Sequence, residues 1–275
     1  MMSKFSGSKL ASSIFTELSK LDIKPKLGII QIGQNPASNL YIKYKIARLN
    51  TIGWPVEHLK LEANSTIEDL SQYITTLSSR STGLIIQLPL PEGIDKSIIN
   101  KIPAEKDVDG LTLINQGKLI AGDLSGLVPC TPLACIRILA AMQVDLKGRR
   151  VCIFGKSPLV GVPLALLLLR EGASVTIINR NDPNPADISR KCDIVISAIG
   201  KKHYITQDFV NPNAIVVDIG TTIVDGKSYG DIAPGVSAAY VTPHLGTVGP
   251  MTIACLGQNL AAAYMVQNAK RGFSG

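Results

Sequence analysis

The chain has little of what marks membrane, secreted or metal-bound proteins. Its longest uncharged apolar run, Val162 to Leu169, falls far short of the roughly 20 residues a membrane-spanning helix needs. The opening MMSKFSGSKLASSIF carries neither the apolar block nor the small-residue cleavage site of a secretory signal, so a soluble cytoplasmic protein is expected, with no membrane partner. Cysteine is sparse. The five residues Cys130, Cys135, Cys152, Cys192 and Cys255 form no CxxC pair, and their odd number suits scattered reduced thiols better than a disulfide framework. Three isolated histidines, His58, His203 and His244, supply no plausible zinc ligand set, and no metal is expected. The net charge is +7, yet the basic residues are dispersed and no run of them could grip nucleic acid. A small anionic ligand is the simpler partner. No internal repeat or low-complexity segment is present.

What remains is ample for real cores: 275 residues, 45% of them hydrophobic. Short β-type apolar runs alternate with helical patterns, which is the signature of an α/β protein with largely parallel sheets. KLGIIQIG (26–33) reads as a buried strand and SNLYIKYKIARLNTIG (38–53) as a helix ending at Gly53. STIEDLSQYITTLSS (65–79) opens with Ser65 three residues before Glu68, a capping-box spacing, and leads into the strand TGLIIQLPLP (82–91). The glycines and two prolines of segment 107–132 break this rhythm and mark a crossing between domains. After the helix 132–142 the pattern restarts with the strand RRVCIF, a turn, a helix to Glu171, and the strands ASVTIINR, CDIVISAIG and AIVVDIGT. A glycine- and proline-rich loop then leads into the last helix, within 242–270.

The turn GKSPLVGVP (155–163) lies between a strand and a helix, where a dinucleotide-binding turn belongs. A glycine at the strand end permits the tight turn, and the helix aims its free N–H groups and positive dipole end at an anion; Gly155 and Gly161 take these positions. Folds that prefer NAD place an acidic residue about 20 residues beyond the glycines to bind the ribose hydroxyls. Here the next strand ends in Asn179 and Arg180. With Lys156 in the turn, the pocket suits an additional phosphate, so NADP is the expected cofactor. Lys156 and Arg180 also read as ordinary solvated charges, because the fingerprint alone is degenerate.

Four segments, GQNPASNLYIKYK (33–45), QLPLP (87–91), KDVDG (106–110) and GKSPLVGVP (155–163), occur in an order and at separations that make the chain resemble the bifunctional methylenetetrahydrofolate dehydrogenase/cyclohydrolase family over nearly its whole length. The weaker PCTP (129–132) and VGPMT (248–252) join them. The resemblance implies two α/β domains flanking a cleft. Residues 1–118 would form the folate-binding catalytic domain, with the C-terminal helix 252–275 packing back on it, and residues 119–251 the Rossmann-type NADP-binding domain. It implies oxidation of methylene-tetrahydrofolate to the methenyl form and hydrolysis of that product to formyl-tetrahydrofolate. It also implies a homodimer, for which TTIVDGKSYGDI offers a DG turn suited to an exposed hairpin that a partner could cover.

Tyr41 and Lys45 lie four apart on a predicted helix and so project from one face. On their own they read as a packed ring beside a solvated amine. The resemblance places the lysine beside the one-carbon unit and stacks the tyrosine on the aminobenzoyl ring. Hydrolysing a methenyl bridge requires water to attack an amidinium-like carbon while a proton moves among the nitrogens, which suits a buried lysine. Gln87 could orient that amine without adding charge, or be a plain strand-end amide. In DVDG the paired acids are natural turn formers; the resemblance gives Asp109 to the pterin ring and leaves Asp107 structural. Leu88 and Pro89 of QLPLP, and Gly249 and Pro250 of VGPMT, are implied substrate contacts. Ser157 and Thr221 fit positions that touch the cofactor. One departure stands out: the loop VTPHLGTVGP has Leu245 and Thr247 where proline and glycine are usual, so added side-chain bulk is expected toward the folate. Two alternatives stay open. A two-domain oxidoreductase resembling shikimate dehydrogenase would share the nucleotide half alone, and a non-catalytic folate- or nucleotide-binding protein would need none of the catalytic positions.

Overall fold

The computed structural model describes residues 5–272, with side chains through residue 269; residues 273–275 of the expected C-terminal helix, and the first four of the opening stretch, lie outside the described residues. The chain separates into two compact units. The first comprises Ser12–Cys130 with the stretch from Ile253 onward, and the second comprises the stretch through Ala11 with Thr131–Thr252.

Helix α1 (Gly7–Ser19) opens the chain. In the first unit, β1 (Leu27–Ile32), α2 (Pro36–Asn50), β2 (Val56–Leu61), α3 (Ile67–Ser79), β3 (Gly83–Ile86) and α4 (Leu113–Ile120) follow. The three strands form a parallel sheet in the order β2-β1-β3, with Leu27 paired to both Val56 and Gly83. Every residue of β1 is buried, as expected of a central parallel strand covered on both faces. Ile30, Leu70, Ile74, Leu77, Leu84 and Ile86 form the heart of this unit's core.

Helix α2 begins two residues before its predicted start. The Asn35 side chain accepts from the Ser38 N–H at 3.1 Å, and Pro36, whose missing N–H costs nothing at this position, starts the first turn. Its buried residues Ser38, Ile42, Lys45 and Leu49 recur at helical spacing, so a lysine sits in the stripe that faces the sheet. The capping box of α3 lies one residue later than predicted. Thr66 Oγ1 accepts from the Asp69 N–H at 3.1 Å and Asp69 Oδ2 accepts from the Thr66 N–H at 3.2 Å, whereas the Ser65 hydroxyl donates to Glu62 O. β3 ends at Ile86, five residues short of its predicted end, because Pro89 and Pro91 cannot donate to a ladder. The crossing segment contains α4, whose N-cap is Thr112. Residues 119–130 group with the first unit: Leu127 N donates to Asn115 Oδ1, and Asn259 Nδ2 donates to Val128 O.

The second unit contains α5 (Cys130–Ala141, from its second residue), β4 (Arg150–Phe154), α6 (Gly161–Arg170), β5 (Ser174–Ile178), α7 (Pro185–Ser189), β6 (Ile194–Ser197), β7 (Ile215–Asp218), β8 (Thr222–Val224), β9 (Lys227–Tyr229) and β10 (Tyr240–Val241). Five of these strands form an all-parallel sheet in the order β10-β7-β6-β4-β5. From β4 the chain goes outward to β5 and returns to β6 on the other side of β4. That reversal of direction is the topological switch point at which open α/β sheets bind ligands, beyond the carboxyl ends of the strands. β8 and β9 form the expected hairpin, turned by Asp225 and Gly226 with φ of 49° and 73°, as a type I′ turn requires. The long helix α8 (Val248–Gly272) closes the chain.

The shifted capping box gives a direct test. Thr66→Ala should destabilise the protein by about 1 kcal/mol and Ser65→Ala by close to nothing in urea unfolding; the reverse order would restore the Ser65 cap.

Candidate active site

The buried stripe of α2 and the end of β3 bring three of the predicted residues together in the first unit. Lys45 is 6% exposed, and its ammonium donates to Gln87 Oε1 at 3.1 Å and stands 4.0 Å from Asp109 Oδ2. Gln87 Nε2 donates to Leu88 O at 2.9 Å, which fixes the amide with its oxygen toward Lys45. The ammonium has three donors, so one hydrogen bond to Gln87 leaves donor capacity for another acceptor. Tyr41 lies one turn before Lys45 on α2 and is half-buried. Leu88 is half-buried, Pro89 is exposed, and the peptide between them is cis.

Ser38 and Asn259 support this cluster, and neither is singled out by the sequence. Ser38 Oγ donates to Leu88 O at 3.0 Å, tying the strand end to α2. Asn259 Nδ2 donates to Val108 O at 2.9 Å and holds the DVDG turn. The usable signal was the amide pair Gln258–Asn259 within the apolar stretch of α8. Asp107 is buried and accepts from Thr112 N and Asn115 Nδ2, so its carboxylate is committed to the turn, as the structural reading has it. Burial pushes Asp107 above the usual carboxylate range even against those hydrogen bonds.

The second unit carries the nucleotide turn. Gly155 has φ of 110°, and a Cβ there would lie 2.7 Å from Ala198 O; a Cβ on Gly161 would overlap Gly155 O. Both glycines are thus required by close backbone approach, and the open cradle at the start of α6 fits a pyrophosphate. Ser157 Oγ accepts from Val160 N at 3.1 Å and shapes the entry to α6. Gly155 N donates to Ile178 O at 3.1 Å, which sets the turn beside the end of β5, with Arg180 two residues on. Lys156 and Arg180 are both exposed and have no ion-pair partner among the described residues. Thr221 is exposed after β7, its carbonyl 3.7 Å from where a Gly200 Cβ would stand.

Gly249 and Pro250 lie half-buried in the first turn of α8. Of the two unusual residues just before them, Leu245 is 69% exposed but Thr247 is only 1% exposed. The expectation that Thr247 adds bulk toward the folate is therefore corrected. Its backbone packs against Gly7, where no Cβ fits, and Ser8 Oγ donates to Gly246 O at 2.8 Å, so α1 draws this part of the loop inward.

Beneath the carboxyl ends of β6 and β7, Asp218 and Asp231 are both buried. Asp218 Oδ1 accepts from Asp231 N at 3.0 Å and its Oδ2 from Ile232 N at 3.2 Å. Burial pushes Asp218 up to about 6, and the nearby Asp231 charge adds to this against the two N–H bonds. His244 Nε2 shares a hydrogen bond with Ser228 Oγ at 2.8 Å, and burial lowers the imidazole below its ordinary value. Among the described residues no group of His, Cys, Asp or Glu could hold a metal ion, and no helix is long and apolar enough to cross a membrane.

A switch-point cradle for a dinucleotide on one unit, with a buried lysine–amide–carboxylate cluster on the other, defines a nucleotide-dependent enzyme of two α/β units. Residues 129–268 match the NAD(P)-binding domain of tetrahydrofolate dehydrogenase/cyclohydrolase and residues 3–109 match its catalytic domain. The chain belongs to the tetrahydrofolate dehydrogenase/cyclohydrolase family. It is 39% identical to the bifunctional protein FolD of Rickettsia bellii, covering 94% of this chain and 97% of that protein. Among solved structures, the bifunctional FolD enzyme of Campylobacter jejuni superposes with a TM-score of 0.90 at 36% identity, covering 94% of this chain and 97% of the other. The Trypanosoma brucei enzyme, solved with NADP cofactor and an inhibitor, also gives 0.90, at 32% identity over 96% and 97% of the two chains. The α/β class with parallel sheets and a Rossmann-type nucleotide domain is as expected, and the shikimate dehydrogenase-like alternative is set aside.

The raised Asp218 carries a pH signature. Its folded value near 6 exceeds its ordinary 3.8, so its contribution is fully present below about pH 4 and is lost as pH rises through 6. That loss amounts to about 3 kcal/mol. Asp218→Asn should remove this component, so that wild type loses stability relative to the variant between pH 4 and 7 in urea unfolding. Parallel pH profiles would contradict the assignment.

Proposed function

We infer that this protein oxidises 5,10-methylenetetrahydrofolate to 5,10-methenyltetrahydrofolate with NADP and hydrolyses the product to 10-formyltetrahydrofolate. The observation that carries this reading is the buried Lys45 ammonium bonded to Gln87 and facing Asp109, in a chain whose other unit holds a dinucleotide cradle. Bound NADP supplies the hydride acceptor. In the oxidation a nitrogen lone pair of the folate expels the hydride, so the protein mainly holds the donor carbon at near-attack distance. In the hydrolysis Lys45 moves a proton between the attacking water and the folate nitrogens, with Gln87 fixing the direction of its amine.

Asp109 accepts from the pterin amino and ring N–H groups while keeping Lys45 in place. Tyr41 stacks on the aminobenzoyl ring, and Leu88, Pro89, Gly249 and Pro250 complete the substrate contacts. Gly155, Ser157 and Thr221 hold the nucleotide, with Lys156 and Arg180 at its additional phosphate. Their exposure and lack of ion-pair partners among the described residues support this, since an unpaired guanidinium just past the end of β5 stands ready for an anion. The folate-binding role falls to the unit of Ser12–Cys130 with the C-terminal helix, and the nucleotide-binding role to the unit that contains Thr131–Thr252. A homodimer would cover the β8–β9 hairpin, whose Ile223 and Val224 are exposed. The five cysteines, all buried and none in a disulfide among the described residues, suit the reducing cytoplasm.

The test is steady-state kinetics on methylene-tetrahydrofolate with NADP and NAD side by side. Arg180→Ala should raise the Michaelis constant for NADP about tenfold or more and leave that for NAD nearly unchanged, since a charge-assisted contact contributes roughly 1.5–3 kcal/mol. Equal losses with both cofactors would remove Arg180 from the phosphate site, and absence of methenyl product in the wild type would overturn the function.

A further inference from the structure

Asp231 has no role in the reading above, yet it is fully buried and its carboxylate accepts four hydrogen bonds from one short segment. Oδ2 accepts from Ser197 Oγ at 2.8 Å, from Ile199 N at 2.9 Å and from Gly200 N at 3.3 Å, while Oδ1 accepts from Lys201 N at 2.7 Å. A carboxylate satisfied by this many N–H and O–H donors works as a rigid clamp. The clamped segment is the chain leaving β6, directly across the switch point from the nucleotide turn. Ala198 O blocks any Cβ on Gly155, and Ile199 Cγ2 lies 3.4 Å from the same position. Two more features hold the carboxylate in place. Asp231 N donates to Asp218, and a Cβ on Gly220, at the end of β7, would overlap the Asp231 carboxylate.

We propose that Asp231 is a positioning residue for the cofactor: by clamping residues 197–201 it builds the wall of the switch-point crevice that faces the Gly155 turn, and it acts on the dinucleotide only through that wall. This rests on the NADP reading above. A clamp that served the fold alone would sit equally well anywhere in the sheet, but this one gathers three consecutive backbone N–H groups at the carboxyl end of the strand beside the nucleotide turn.

The test measures NADP binding by calorimetry and methenyl-tetrahydrofolate hydrolysis without nucleotide, on Asp231→Asn and Gly220→Ala. Asparagine places an NH₂ group among donors; the alanine methyl displaces the carboxylate while keeping its charge. Both variants should weaken NADP binding at least tenfold and leave hydrolysis within threefold of wild type. Wild-type binding in the same experiment checks the cofactor reading independently. A folded variant of either kind that binds NADP within twofold of wild type overturns the proposal, as does a proportional loss of binding and hydrolysis. Failure of both variants to fold would make Asp231 a determinant of the fold alone and also overturns it.

Discussion

An ammonium group removed from water needs acceptors in place of it, and Lys45 has them only because two separate segments arrive at the same point. Gln87 comes from the end of β3 and Asp109 from the separate DVDG turn before α4, while Lys45 projects from the sheet-facing stripe of α2. Much of the first unit serves this meeting. β1 lies between β2 and β3 and fixes the register of β3 beside it. Ser38 fastens the strand end, Asp107 commits its carboxylate to the turn, and Asn259 holds that turn from α8. A lysine so held offers one hydrogen bond to a neutral amide and a longer electrostatic contact to a carboxylate. This leaves its remaining donors for a ligand.

The second unit depends on close backbone approach rather than on charge. Gly155 and Gly161 permit the turn to pass against β6 and against itself, leaving the N-terminus of α6 open to an anion. Gly220 and Gly230 play a corresponding part beneath, where side chains would overlap Asp231 and Asp218. The buried carboxylates therefore sit among glycines by necessity. Removing hydration from two acids is tolerable because backbone N–H groups replace the water, and because Asp218 shifts upward.

Legibility followed the range of the interactions. The β1 strand, the α2 helix and the nucleotide turn depend on residues close in sequence, and all were readable from local patterning and glycine placement, although the buried side of α2 that holds Lys45 was not. The β2 edge strand was not, since the mixed pattern VEHLKL is only half-buried. The capping box moved by one residue because Thr66–Asp69 and Ser65–Glu68 present the same spacing, and only backbone direction distinguishes them. Thr247 looked like a ligand-facing intrusion until α1, hundreds of residues away in sequence, claimed its loop. Asn259 and Asp231 act over comparable or intermediate separations, and no local pattern announces such partners. Lys45, Gln87 and Asp109 were readable as a set through the family resemblance, whereas YxxxK alone fits a solvated amine equally well.

The central claim is that Lys45 moves protons in hydrolysis but only positions substrate in oxidation. Both activities measured on Lys45→Met, shown by circular dichroism to be folded, test it most directly. Cyclohydrolase activity should fall about 10²–10⁴-fold, the usual share of a positioned acid–base group. Dehydrogenase activity should survive far better, so that methenyl-tetrahydrofolate accumulates. Unimpaired hydrolysis in the folded variant would contradict the account.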